Sequence, residues 1–150
     1  MKPLFILLLT FLVTVGVQKL FFKTINYSLS GRIAMCTMLL FTALGHFVFT
    51  EGMSKMIPNF IPLRSSIVTL TGVLEIMLAI GLLLPNYVKI TGWILILFLL
   101  LILPTNIKAS LENLNYQTGN YDGKGITYLW FRIPLQLFFI AWVYFFTLRK

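Results

Sequence analysis

GRIAMCTMLLFTALGHFVFTEGMSKMIPNFIPLRSSIVTLTGVLEIMLAIGLLLP, residues 31–85, is the stretch whose reading decides the fold. Two apolar runs flank a short loop, Glu51 to Arg64, which carries the steps Ile57-Pro58 and Ile61-Pro62. Each proline lacks a backbone donor and restricts the residue before it, so a helix does not pass through this loop. The runs predict helices over residues 31–50 and 65–84. About 20 residues at roughly 1.5 Å each span the roughly 30 Å of a bilayer's hydrocarbon. Inside these runs sit His46, the single histidine of the chain, and Glu75, one of four acidic residues. An ionisable group in a helix of that kind is expensive and marks a functional-site hypothesis.

Working outward, the chain of 150 residues is 59% hydrophobic and only 11% charged, with a mean hydropathy of +0.92. A soluble domain of this size cannot hide so much apolar surface, so the expected class is an all-α integral membrane helical bundle, one transmembrane domain over residues 1–150. Three more helices are expected, over residues 3–22, 88–103 (ended by Pro104) and 127–148 (containing Pro134), with outer loops over 51–64 and 105–126. The first run exceeds the roughly 7–15 residues of a signal-peptide core and reads as a retained transmembrane helix.

The net charge is +8. However, the basic residues lie between or beside apolar runs and form no patch, so they read as topology signals and lipid anchors rather than a nucleic-acid surface. One cysteine, Cys36, excludes an internal disulfide and a CxxC redox pair. One histidine excludes bis-histidine haem ligation, and neither a metal nor a cofactor is expected. Five crossings group Lys19, Lys23, Arg32, Lys89, Arg149 and Lys150 on one side, without an acid. Lys2, Lys55, Arg64, Lys108, Lys124 and Arg132 fall on the other, with Glu51, Glu112 and Asp122. The basic counts tie, and the denser, loop-proximal first set places the C-terminus in the cytoplasm, in a bacterial inner membrane. Trp93, Trp142 and Tyr144 near one face, and Tyr128 and Trp130 near the other, read as aromatic belts.

The strongly polar groups of the spans cluster in the half away from the expected cytoplasmic side. Thr42 and His46 share a helix face at i,i+4, as do Thr71 and Glu75, and Gln136 lies one turn below Arg132. Asn106 follows Pro104 at the expected helix end. If these faces converge, they form a polar pocket beneath the loop holding Met53 and Met56, with Arg132 paired to Glu75 or Glu75 protonated and neutral. Gly45 and Gly72 are expected to let backbones approach closely. Each residue has a plainer reading: His46 as a packing histidine, Arg132 as an interfacial anchor, Asn106 as a helix-end hydrogen-bonder, and the methionines as filler.

These residues also carry a family resemblance. Gly45-His46-Phe47, Met56-Ile57-Pro58, Ile61-Pro62, Thr71-Gly72 with Glu75, Gly81-Leu82-Leu83-Leu84-Pro85 and Leu103-Pro104-Thr105-Asn106-Ile107 together resemble the DoxX-like family of small membrane proteins. Leu129-Trp130-Phe131-Arg132-Ile133-Pro134 continues the likeness. The resemblance implies a four-helix DoxX-like core, to which residues 3–22 add one N-terminal transmembrane helix. It also implies a bundle able to bind other transmembrane helices. It transfers no catalytic residue, and the thiol chemistry of some relatives does not carry over without a cysteine pair.

The expected function is therefore that of a non-enzymatic accessory or chaperone-like protein. It would bind membrane lipids and a membrane protein partner or hydrophobic small molecule through His46, Glu75, Asn106, Arg132, Gln136, Thr42, Thr71 and Met56, with a homo-oligomer as one arrangement. The alternative is a membrane enzyme: an acid–base isomerase on a hydrophobic substrate, or a quinone-linked oxidoreductase subunit.

Overall fold

A computed structural model describes residues 2–22 and 24–149. Lys23 and Lys150, counted above among the topology charges, lie outside the described residues. The chain is an all-α bundle: α1 (Lys2–Val17, extended by a π-helical turn Gln18–Phe22), α2 (Tyr27–Val48), α3 (Thr50–Ser54), α4 (Arg64–Gly81), α5 (Val88–Leu111) and α6 (Ile126–Val143, extended by a π-helical turn Tyr144–Leu148). Five of these helical segments, each of 18 to 24 residues, are long and apolar enough to cross a membrane.

Helix α2 is the hub. It packs along α1 on one side and α4 on the other, and its first turns meet the end of α6. Helices α5 and α6 pair with each other, and α4 touches α5 only lightly although a short turn joins them. The apolar core occupies the half of the bundle nearest that turn, with Met35, Leu39, Leu78, Leu82, Leu95, Leu99, Phe139 and Val143 buried together. Phe11, Trp142 and Phe146 stack there with ring centroids 4.7 to 5.4 Å apart, tying α1 to α6. Gly31 is needed at this end because a Cβ would collide with the Phe146 ring.

Several expected boundaries shift, each for a local reason. Helix α2 starts at Tyr27 rather than residue 31, because the Asn26 side chain caps it by accepting from the Leu29 N–H at 3.0 Å. Helix α4 closes at Gly81, three residues short of the expected end. There Leu83 and Leu84 donate to the carbonyls three residues back, tightening the chain into a turn. Helix α5 runs through Pro104 to Leu111 instead of ending at residue 103. Pro104 is exposed on the bundle's outer surface, and membrane helices tolerate an interior proline when local groups rearrange around it. The outer loop expected over 105–126 is correspondingly shorter, beginning after Leu111. Trp142 is not part of an aromatic belt: it is 9% exposed, and its indole N–H donates to the Gly31 carbonyl at 3.0 Å. Trp93, Trp130 and Tyr144 are exposed, as a belt requires.

The opposite end is capped by its two loops. The first folds back as α3 against α4, burying Ile57 and leaving Phe60 outside. The second is ordered by its own bonds, Gly123 N–H to the Asn113 carbonyl at 2.7 Å and Asn115 N–H to the Asn120 carbonyl at 2.8 Å. Lys55 Nζ donates to the Gly119 carbonyl at 2.9 Å, and Lys108 Nζ donates to the Lys55 carbonyl at 2.9 Å. Gly52 presses on the Tyr116 backbone so closely that a Cβ would overlap the Tyr116 carbonyl.

Because backbone cannot yield as a side chain does, Gly52→Ala is expected to destabilise the protein by about 1–3 kcal/mol in detergent unfolding. Gly16→Ala, at a position with nothing within 4 Å of the added Cβ, is expected to leave the transition unchanged. Equal effects would show that the two loops do not dock on each other.

Candidate functional site

The site is built on the seam between α2 and α4. Helix α4 brings Val68, Thr71, Gly72 and Glu75 to one face, four positions spaced at one helical turn or less. Gly72 makes the seam close: a Cβ there would stand 2.8 Å from His46 Cβ. The expected role of Gly45 is not realised, since the nearest atom to a Cβ at that position is the Met53 methyl at 3.6 Å.

His46 is held by α4 at both ring nitrogens. Nδ1 lies 3.1 Å from the Val68 carbonyl and 3.0 Å from Thr71 Oγ1. The Thr71 hydroxyl donates its own proton to that same carbonyl at 2.7 Å. A carbonyl only accepts and the hydroxyl proton is already committed, so Nδ1 carries the hydrogen and is the donor. Nε2 faces Glu75 Oε1 at 3.5 Å. Any proton exchanged within the pair therefore moves between Nε2 and Oε1. Glu75 is 4% exposed, and its second carboxyl oxygen is buried without a partner.

The expected Arg132–Glu75 pair does not form. The basic side chain within 4.0 Å of Glu75, among the described residues, is the His46 imidazole. Arg132 instead lies in the α5–α6 half, with its Nε buried and unpartnered, within electrostatic reach of Tyr116. Burial pushes the Tyr116 hydroxyl above its ordinary range, Tyr128 adds to the rise, and the Arg132 charge opposes it. Gln136 is buried and donates to the Leu99 carbonyl at 2.6 Å, joining α6 to α5. Asn106, inside α5 rather than at its end, donates back to the Ile102 carbonyl at 3.1 Å. Thr42 donates to the Met38 and Leu39 carbonyls of its own helix. Met56 makes a backbone turn bond to Met53, and it is Met53 that reaches α2.

The polar residues thus fall into two groups rather than one pocket. His46, Thr71 and Glu75 form a three-residue contact on the α2–α4 seam, while Arg132, Gln136 and Asn106 belong to α5 and α6. Among the described residues no three His, Cys, Asp or Glu side chains gather as a metal site would require. The sequence reading missed two contributors. The Val68 carbonyl carries no sequence signal, being backbone. Met53, expected with Met56 in the loop over the pocket, is the one of the two that reaches α2. Tyr116, whose ring meets Phe49 edge-on at 6.0 Å, stands out as an aromatic in a polar loop and was legible in principle.

This fold and site define a helical membrane bundle with a histidine–carboxylate contact stapling two of its spans. Residues 35–147 match the family model described as Domain of unknown function (DUF8561), and the chain belongs to that family. The match takes in α4, α5, α6 and most of α2, and leaves α1 outside. No curated protein and no solved structure matches the chain.

If the pair staples α2 to α4, His46→Ala and Glu75→Ala are expected to be non-additive. Their coupling energy should be about 1 kcal/mol or more in a double-mutant cycle of detergent unfolding. Additive losses would mean that the 3.5 Å approach contributes nothing.

Proposed function

We propose that the chain is a DoxX-like accessory protein of the bacterial inner membrane, with a cytoplasmic C-terminus. It acts by binding a membrane protein partner or a hydrophobic ligand rather than by catalysing a reaction. The observation that carries this reading is the engagement of His46 on both ring nitrogens by α4. A histidine acting as general base must bring a free nitrogen within hydrogen-bond reach of its substrate, and here Nδ1 is hydrogen-bonded to α4 while Nε2 faces Glu75 at 3.5 Å. Three other polar side chains of the spans support the same reading, because Thr42, Asn106 and Gln136 are bonded to helix backbone. The pair then shapes and rigidifies the surface that α2 and α4 present.

One observation favours a second reading, a membrane enzyme acting on a hydrophobic substrate. Glu75 Oε2 and Arg132 Nε are buried without partners, and unsatisfied buried polar atoms are rare enough to call for an explanation. A substrate hydroxyl or carbonyl would satisfy them.

The two readings separate on purified protein incubated with a total membrane lipid and quinone extract, followed by mass spectrometry. The accessory reading expects no conversion, with Glu75→Gln changing thermal stability and partner recovery only. Conversion of one component that ceases in Glu75→Gln would replace it with the enzyme reading.

A further inference from the structure

We propose that the capped end of the bundle carries a binding site for the phosphate of an anionic phospholipid, distinct from the His46–Glu75 seam. A hollow of about 490 Å³ is lined by Ser54, Lys55, Leu63, Arg64, Ser65 and Ser66. Two cationic residues and three serines thus line one space, with no acidic residue in its lining. Both cations are held in place and still have donors to spare. Lys55 Nζ uses one on the Gly119 carbonyl, and Arg64 Nη1 uses one on Asn59 Oδ1 at 2.7 Å, leaving the rest of the guanidinium fork. The nearest acid on α3, Glu51, is exposed and pairs with no cation among the described residues.

Position selects a lipid over a dissolved anion. The hollow sits where α4 begins, at the level a headgroup occupies if residues 64–81 span the bilayer. Leu63, on its rim, is 76% exposed, and Phe60 beside it is 84% exposed. Ser66 begins an open stripe down α4 through Leu70, Val73, Met77 and Ile80, all exposed and spaced three or four residues apart. An acyl chain laid on this stripe runs directly beneath a phosphate held in the hollow. A fixed fork of donors at the interface is well suited to phosphate oxygens, and anionic headgroups add Coulombic attraction. The first turn of α4 has no side-chain cap, so its free N–H groups reinforce the same charge preference.

The test is native mass spectrometry of the whole chain in non-ionic detergent, with dioleoylphosphatidylglycerol and dioleoylphosphatidylcholine as competing probes and glycerol 3-phosphate as the soluble analogue. Preferential retention of phosphatidylglycerol is expected, and Arg64→Gln should lower that preference about fivefold, the effect of one interfacial charge. Ser65→Glu should lower it at least as much. An acid in the first turn suits the helix, so this variant keeps the fold while repelling phosphate. Lys124→Gln, an exposed cation on the other loop, should leave the preference intact. Equal retention of the two lipids, an equal loss in Lys124→Gln, or displacement of the lipid by glycerol 3-phosphate would each overturn the proposal. None of these outcomes bears on the accessory reading, which rests on the seam.

Discussion

The structure depends on how closely α2 and α4 approach at Gly72. Helices in a bilayer gain little from hiding apolar surface from one another, since lipid is equally apolar, and close packing with polar contacts must hold them together. With no side chain at Gly72, the α2 backbone comes near enough for the His46 ring to be gripped by Val68, Thr71 and Glu75. The cost of burying the Glu75 carboxyl group is eased by a polar partner that arrives from the neighbouring helix.

The rest of the bundle is arranged around that seam. At the far end, glycine contacts and the Phe11–Trp142–Phe146 stack close the core, and the Trp142 indole is satisfied by the Gly31 carbonyl. At the near end, the two loops lock through Gly52 against Tyr116 and through the ammonium groups of Lys55 and Lys108 on backbone carbonyls. Helices α5 and α6 form their own pair with Gln136 as the polar tie. A polar half and an apolar half result, and the polar half is mostly occupied by internal bonds.

Much of this was legible beforehand. The five apolar runs, the failure of the Pro58–Pro62 loop to cross, and the shared face of Thr71 and Glu75 all follow from hydropathy and helical periodicity. Of the three shifted helix boundaries, two were misread for opposite reasons. Asn26 is a capping residue that looked like loop, and Pro104 is a helix breaker in water that a lipid-facing helix accommodates. Of the two expected states of Glu75, the pairing with Arg132 is not realised, because opposite formal charge suggested a partner that the helix order does not bring near.

By itself, the sequence determined that the chain is an all-α bundle of membrane-length helices with a few costly polar groups in one half. Those properties are local: hydropathy over about 20 residues and the 3.6-residue turn are read without knowing any neighbour. Only the tertiary structure decided which polar groups meet. That choice turns on helix order, on the depth at which two antiparallel helices face each other, and on whether a glycine stands at the crossing. His46 took Glu75 because α4, and not α6, lies along α2 at that depth.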